Sequence, residues 1–498
     1  LTLRKNPAGS SRASGLVLTL LLILPLLGFV PKYSVTVSDS VSQGPPSLLI
    51  PYLWLAGFAL FFVLTAQDQP TVIAITAAIT LWTGLWWVFE PIPIPATSLL
   101  PLALFPAFSI LTPAQVGAAY GSPLVLLLMG GFILSTAMER SGAHRRVALT
   151  MVNLFGGSSS RRLVFGFMAA SALLSMWISN TATTLMLLPV ALAVLEKAPD
   201  KRLAVPLLLG IAYAASIGGI GTPIGTPPNL VFREVYATTT GQEIGFLTWM
   251  TWGVPVVLLF VPLTALWLTR NLNYQGTFDL PPVGAWQTAE RRVLIVFSLT
   301  ALAWVTRSQP FGGWSQLLNV PGINDASIAM LAVVVMFLVP NGRGERLLTW
   351  DAAEKIPWGM LILFGGGIAI AKAFVTSGLS QELGGMLTQL AGLDLFFLVL
   401  VICLVITFMT EITSNTATTT LMLPILAAAA VAFEIPPERL MVPAAMSASC
   451  AFMLPVATAP NTIMFSTGVF PIRTMIREGL ALNIIGAFLI SSLSVWLI

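Results

Sequence analysis

Two polar strings interrupt long apolar stretches, and they are nearly the same string. Residues 179–189 read SNTATTLMLLP and residues 414–424 read SNTATTTLMLP. Ser, Asn and Thr compete for backbone hydrogen bonds, so they are poor in helix interiors and good at N-caps. Among apolar residues the string predicts a helix that unwinds and restarts. The restart leaves N–H groups without partners and a positive dipole end, which together suit an anion. The unwound stretch exposes carbonyl oxygens, which with Ser and Asn side-chain oxygens suit a hard cation such as Na+. Two copies would converge as two cation sites flanking one anion site. A single Ser-Asn-Thr reads more simply as packing and hydrogen-bonding residues of a membrane helix. Six residues repeated at matching positions do not.

The positions do match. The second string begins 235 residues after the first, and Gly130-Gly131 recurs at the same spacing as Gly365-Gly366. Thr-Pro-Pro-Asn at 226–229 is followed 232 residues later by Thr-Ala-Pro-Asn at 458–461. Three landmarks in one order define two homologous halves. Each half carries a glycine-rich apolar segment, read as a hairpin over 122–142 and 358–378. Next comes an apolar helix that meets Ser-Asn-Thr and continues. Last is a helix that breaks before Asn229 or Asn461. Pro227 and Pro228 remove backbone donors, and Gly225 lets the backbone approach a ligand. Interrupted segments at matching positions in two halves point to a transporter binding site. The expected division is N-terminal helices over 1–89, a first repeat over 90–245, a connection over 246–324 and a second repeat over 325–498.

Composition sets the environment. Of 498 residues 56% are hydrophobic and 9% charged, against about 25% charged in a soluble chain. Spans need roughly 20 apolar residues, and about eleven to thirteen such segments recur. The expected fold is an all-α membrane protein with two inverted-topology repeats, each with a re-entrant helical hairpin and broken helices. Basic residues cluster between apolar runs, as at Arg140, Arg145, Arg146, Arg161, Arg162, Lys197, Lys201 and Arg202. This reads as cytoplasmic loops and not as a nucleic-acid surface. Arg4, Lys5 and Arg12 then place the N-terminus inside. Residues 4–30 also resemble a signal peptide, but no small-residue cleavage site follows, so a retained first helix is expected.

Enzyme chemistry finds little support. His144 stands in a basic loop, and Cys403 and Cys450 read as small buried hydrophobes. No acid–base or metal constellation is present. Glu411, three residues before Ser414, is either a functional intramembrane acid or a structural partner for a helix N-terminus or Lys372. Residues 163–195 hold no charged group. A carboxylate there would be met by helix N-termini, hydroxyls, amides and co-bound Na+. Burying a dianion without cations is too costly, so ion and anion should be coupled.

The paired motifs, together with WWVFEPIPIPATSLLPLALFP at 86–106, resemble the divalent anion/sodium symporter family over about 75–495. The resemblance implies a first cation site at Ser175, Ser179, Asn180 and Gly225, and a second at Thr410, Thr413, Asn415 and Ala457. It implies substrate contacts at Asn180, Thr181, Thr226, Asn415, Thr416 and Thr458, to which the motif serines Ser179 and Ser414 are added. It further implies a homodimer in the cell membrane, with a fixed scaffold and a transport domain moving as an elevator. Ala459 departs from the family by replacing a proline. The expected activity is Na+-coupled symport of a C4-dicarboxylate such as succinate, malate or fumarate. The rivals are a sodium-independent anion antiporter and the same fold carrying citrate or sulfate. Broken helices at matching positions suit alternating access better than a channel.

Overall fold

The structure is a computed structural model that describes residues 59–65, 70–155, 159–276, 278, 280, 282–309, 312–387 and 394–498. The apolar run 15–30 and the basic residues Arg4, Lys5 and Arg12 lie outside the described residues. The described chain is helical, with only two isolated β-bridges. Among the described residues seven helical stretches are long and apolar enough to cross a bilayer, fewer than the roughly eleven to thirteen apolar segments read from the sequence, some of which are shorter helices.

The helices that position the site are α1 (Thr71–Phe89), α2 (Leu100–Ala107), α3 (Pro113–Tyr120), α4 (Pro123–Ser141), α5 (Ala143–Phe155), α6 (Ser160–Ser175), α7 (Asn180–Lys197), α8 (Ala204–Gly219), α9 (Pro227–Thr240), α10 (Phe246–Leu268), α11 (Thr288–Val305) and α12 (Asp325–Leu338). The second half continues with α13 (Trp358–Ser377), α14 (Leu379–Leu387), α15 (Leu395–Met409), α16 (Asn415–Ala432), α17 (Glu438–Ser447), α18 (Ala459–Phe465) and α19 (Ile472–Leu497).

The structure corrects the placement of the hairpins. Residues 122–142 and 358–378 are not hairpins. Each holds one continuous helix, α4 or α13, ending on a left-handed glycine, Gly142 (φ 76°) or Gly378 (φ 86°). The internal glycines allow close packing instead of a break. A Cβ on Gly130 would lie 2.7 Å from that of Ala329 in α12, and one on Gly365 would lie 2.3 Å from the ring of Tyr120 in α3.

The reversals fall at Ser-Asn-Thr. Gly210 of α8 faces Val164 and Met168 of α6, Gly218 faces Ala172, and Gly221 faces Met176. Helices α6 and α8 therefore run the same way. Gly219, the last residue of α8, lies beside Asn180, the first of α7, and only residues 198–203 join the far end of α7 to the start of α8. Helix α7 is thus antiparallel to both, and α6–α7 is a hairpin with its tip at 176–179. The second half repeats this. Thr407 Oγ1 donates to Ser447 O (3.4 Å) and Thr410 Oγ1 lies 3.1 Å from Ala448 O, which aligns α15 with α17. A short link at 433–437 returns α16 to α17. The first hairpin's base carries five basic residues, Arg161, Arg162, Lys197, Lys201 and Arg202, while the second has Arg439 with Asp394, Glu434 and Glu438 near its base. By the positive-inside rule the two hairpins enter from opposite sides.

The halves interlock. Helix α9 of the first half packs on α16 and α17, and α18 of the second packs on α7 and α8. Helix α4 packs on α12, and α13 on α1, α2 and α3. The tight α6–α8 contact gives a direct test. A Cβ on Gly218 would meet the Ala172 carbonyl oxygen at 2.3 Å. Gly218→Ala should destabilise by about 1–3 kcal/mol through overpacking, read as a lower thermal unfolding midpoint. Gly117→Ala is the control, because nothing lies within 4 Å of that position.

Two loop readings also change. Arg146 is buried (6% exposed) and pairs with Glu290 at 2.7 Å, clamping α5 to α11. His144 is half-buried and its Nδ1 faces Met138 O at 3.0 Å; burial lowers its pKa.

Candidate functional site

Each hairpin tip is a helix stop followed by a restart. In the first, Ser179 is the N-cap of α7, and its side chain accepts from Ala182 N at 3.1 Å. Ser414 occupies the same place before α16 but makes no side-chain cap bond. Thr226 and Thr458 are the N-caps of α9 and α18 and reverse that asymmetry. Thr458 Oγ1 accepts from Asn461 N at 3.3 Å, whereas Thr226 makes no side-chain cap bond. Each half thus holds one capping hydroxyl and one uncommitted hydroxyl.

All four restarts open onto one cavity of about 520 Å3. Its lining includes all eight residues of the substrate set: Ser179, Asn180, Thr181, Thr226, Ser414, Asn415, Thr416 and Thr458. Gly225, Thr413 and Ala457 of the cation sets line it too. Ser175 and Thr410 do not; they are fully buried behind its wall. They reach it through a partner that does. Ser175 Oγ donates to Asn180 Oδ1, and Thr410 Oγ1 donates to Asn415 Oδ1 at 2.6 Å. The same five-residue link therefore ties the end of the first hairpin helix to the start of the second in both halves.

Oxygens gather behind these asparagines. A Cβ on Gly219 would sit 3.0 Å from Gly225 O and 3.2 Å from Asn180 Oδ1, so both oxygens face one small space. Gly219 and Gly225 must both lack side chains for this approach, because a Cβ on Gly225 would meet Gly219 O at 2.5 Å. The second half has Ala451 and Ala457 at the matching positions, so its backbone follows a different path there.

Sequence reasoning left three roles unassigned. Asn229 Nδ2 donates to Gly219 O (2.9 Å) and Thr222 O (2.7 Å), and Asn461 Nδ2 donates to Ala451 O (2.9 Å) and Leu454 O (3.0 Å). Both asparagines pin the unwound segment before the restart at identical spacing, and their recurrence at the end of TPPN and TAPN was the available signal. Glu411 is the third. It sits in the second tip, 3% exposed, and accepts from the N–H groups of Phe452 (2.7 Å), Met453 (2.9 Å) and Leu454 (2.9 Å) and from Asn483 Nδ2 (2.7 Å). Of the two roles open to it, this geometry is the structural one. The first tip holds its unwound segment differently, by Thr222 Oγ1 donating to Met176 O.

The electrostatics follow from the helix ends. The first-turn N–H groups of a helix have no preceding turn to accept them, and each N-terminus carries a partial positive charge. Two such ends, those of α7 and α16, bring free N–H groups to the cavity, whereas α9 opens on Pro227-Pro228 and α18 carries Pro460, so these two contribute mainly their dipoles. Among the described residues the lining holds no Lys or Arg, and Glu90 is its charged side chain. Among the described residues no cluster of His, Cys, Asp and Glu could hold a transition metal. The arrangement can hold an anion on backbone and amide donors with small cations on the oxygens behind them.

The chain is similar to known proteins. A sequence model of the citrate transporter family matches residues 84–435. The sodium-dependent dicarboxylate transporter SdcS of Staphylococcus saprophyticus is 40% identical over 479 residues, covering 91% of each chain. Its namesake in Staphylococcus aureus is 41% identical over 461 residues, covering 86% of this chain and 88% of the relative. The crystal structure of the Alcanivorax borkumensis YdaH transporter shares the fold at a TM-score of 0.58 with 18% identity, over 79% of this chain and 89% of that one. Hairpins tipped by Ser-Asn-Thr, a family match over most of the chain and relatives at this identity place the protein in the divalent anion/sodium symporter family, as an integral, multi-pass membrane transporter.

Proposed function

We propose that the protein carries a C4-dicarboxylate such as succinate, malate or fumarate into the cell together with Na+. The observation that carries the reading is a cavity with the N–H-bearing starts of α7 and α16, two Asn-centred oxygen clusters and, among the described residues, no basic side chain. The substrate carboxylates rest on the N–H groups and side chains of Asn180, Thr181, Asn415 and Thr416, with Ser179, Ser414, Thr226 and Thr458 around them. One Na+ sits among Ser175, Ser179, Asn180 and Gly225, the other among Thr410, Thr413, Asn415 and Ala457. The shared asparagines make the two ligands interdependent. Without the cations the only positive charge that the dianion meets is the partial charge of helix ends and amides, with the Glu90 carboxylate in the same lining, which is costly. The sodium-dependent dicarboxylate relatives support the same pairing.

The two interlocked hairpins form the moving unit and α1 to α3 with α11 and α12 the scaffold, in an elevator cycle, with two copies joined as a homodimer. If more than two Na+ accompany each dianion, the membrane potential adds about 2.3 kcal/mol per net charge per 100 mV. Purified protein in liposomes should accumulate labelled succinate when Na+ is outside and lose that uptake when K+ replaces Na+. Uptake indifferent to the swap would remove the symport reading. Uptake seen only in vesicles preloaded with dicarboxylate would favour an antiporter instead.

A further inference from the structure

We propose that Glu90 acts as a charge filter for the cavity, favouring a dicarboxylate dianion over a tricarboxylate trianion. The inference rests on the reading of the cavity as a Na+–dicarboxylate site.

Volume alone does not select here. A cavity of about 520 Å3 lies within the range that holds drug-sized ligands, so a six-carbon tricarboxylate fits as well as a four-carbon dicarboxylate. Charge does select. The two hairpin helices α7 and α16 offer one first turn of N–H groups for each of two carboxylates. The other two restarts open on Pro227-Pro228 and Ala459-Pro460, which lack the N–H groups to receive a carboxylate in the same way, so a third carboxylate must lie elsewhere on the lining. That lining holds no Lys or Arg to receive it and does hold Glu90, beside apolar groups such as Val88 and Phe132. Glu90 caps the C-terminus of α1, where the helix dipole is also negative. Side chain and helix end therefore oppose a further negative charge together.

The backbone at Glu90 gives a second, independent observation. Its φ and ψ are 47° and 48°, a left-handed conformation that residues other than Gly, Asn and Asp adopt at a cost. The chain uses glycine for the same task at Gly142, Gly241 and Gly378. Of the non-glycine residues with positive φ among those described (Glu90, Ser109, Asn319 and Glu434), Glu90 alone lines the cavity. Glycine would cap this helix with less strain, so the side chain is what the position retains. Backbone strain kept at a ligand cavity points to a role in function.

The experiment is competition against Na+-driven uptake of labelled succinate in liposomes at neutral pH. The competitors are citrate, tricarballylate and unlabelled succinate. The readout is the half-inhibitory concentration of each tricarboxylate divided by that of succinate. Glu90 is exposed to solvent, so Glu90→Gln should lower this ratio by about two- to fivefold, the effect of removing one water-screened like charge. Glu90→Asn, whose short amide tolerates left-handed backbone, should do the same and guards against misfolding of the first variant. Glu90→Asp keeps the charge and should keep the wild-type ratio. An unchanged ratio in both neutral variants overturns the filter, as does an aspartate variant that behaves like the glutamine one. Failure of the wild-type protein to take up succinate with Na+ would instead overturn the reading of the cavity.

Discussion

Asn180→Ala and Asn415→Ala should each reduce Na+-dependent succinate uptake to background while the protein still inserts and folds. Each asparagine has two duties. Its Oδ1 lies in an oxygen cluster, where it already accepts from Ser175 or Thr410, and its backbone N–H opens a helix that faces the cavity. Losing a hydrogen bond or ligand contact to a charged group costs about 1.5–3 kcal/mol, which is about 10- to 100-fold in affinity. Because ion and anion share the residue, the losses compound. The sign for each ligand is separable by measuring Na+ dependence at saturating succinate and succinate dependence at saturating Na+. Both half-saturation constants, read as ligand-induced thermal stabilisation of the purified variant, should rise. Full activity in either one would sink the site assignment.

The second large effect is expected at Glu411. Glu411→Ala leaves three backbone N–H groups and the Asn483 amide without their acceptor. An unsatisfied buried polar group costs about 1–3 kcal/mol, so the loss summed over this set approaches the whole stability of a domain. The variant should be recovered poorly, with a sharply lowered unfolding midpoint. Glu411→Gln keeps an acceptor oxygen and should fold with an intermediate midpoint and measurable transport. A glutamine variant with wild-type stability and no transport would instead make Glu411 an ion- or proton-carrying group and contradict the structural role.

Much of the site was legible because polar residues are costly in an apolar chain. Ser179 and Ser414 stand where a helix restart was read, and Asn180 and Asn415 begin the restarted helices. The breaks before Asn229 and Asn461 were equally visible in the Gly, Thr and Pro around them. The path of the chain was not. A hydropathy pattern is the same for a helix that crosses the membrane and for one that turns back. The short links at 198–203 and 433–437 carry the difference, since a few residues can join only neighbouring helix ends. Glycines misled for a similar reason. Gly130-Gly131 and Gly365-Gly366 read as a break, yet they lie inside continuous helices where Ala329 and Tyr120 press close, and the partner in such a contact is far away in sequence. Glu411 and Glu90 gained their roles from tertiary neighbours as well. Glu411 is met by residues 452–454 and 483, and Glu90 by a cavity built mostly from residues beyond 128.

The central claim is that Na+ supplies the positive charge that the cavity's own side chains lack, so that ion and dicarboxylate bind as a linked pair. Thermal unfolding of the purified protein tests it directly, because a ligand that binds the folded state raises stability with the logarithm of its free concentration over its dissociation constant. Succinate should raise the unfolding midpoint in Na+ buffer and leave it unmoved in K+ buffer of equal ionic strength. By reciprocity, Na+ should act at lower concentration when succinate is present. An equal succinate shift in K+ and Na+ would contradict the account.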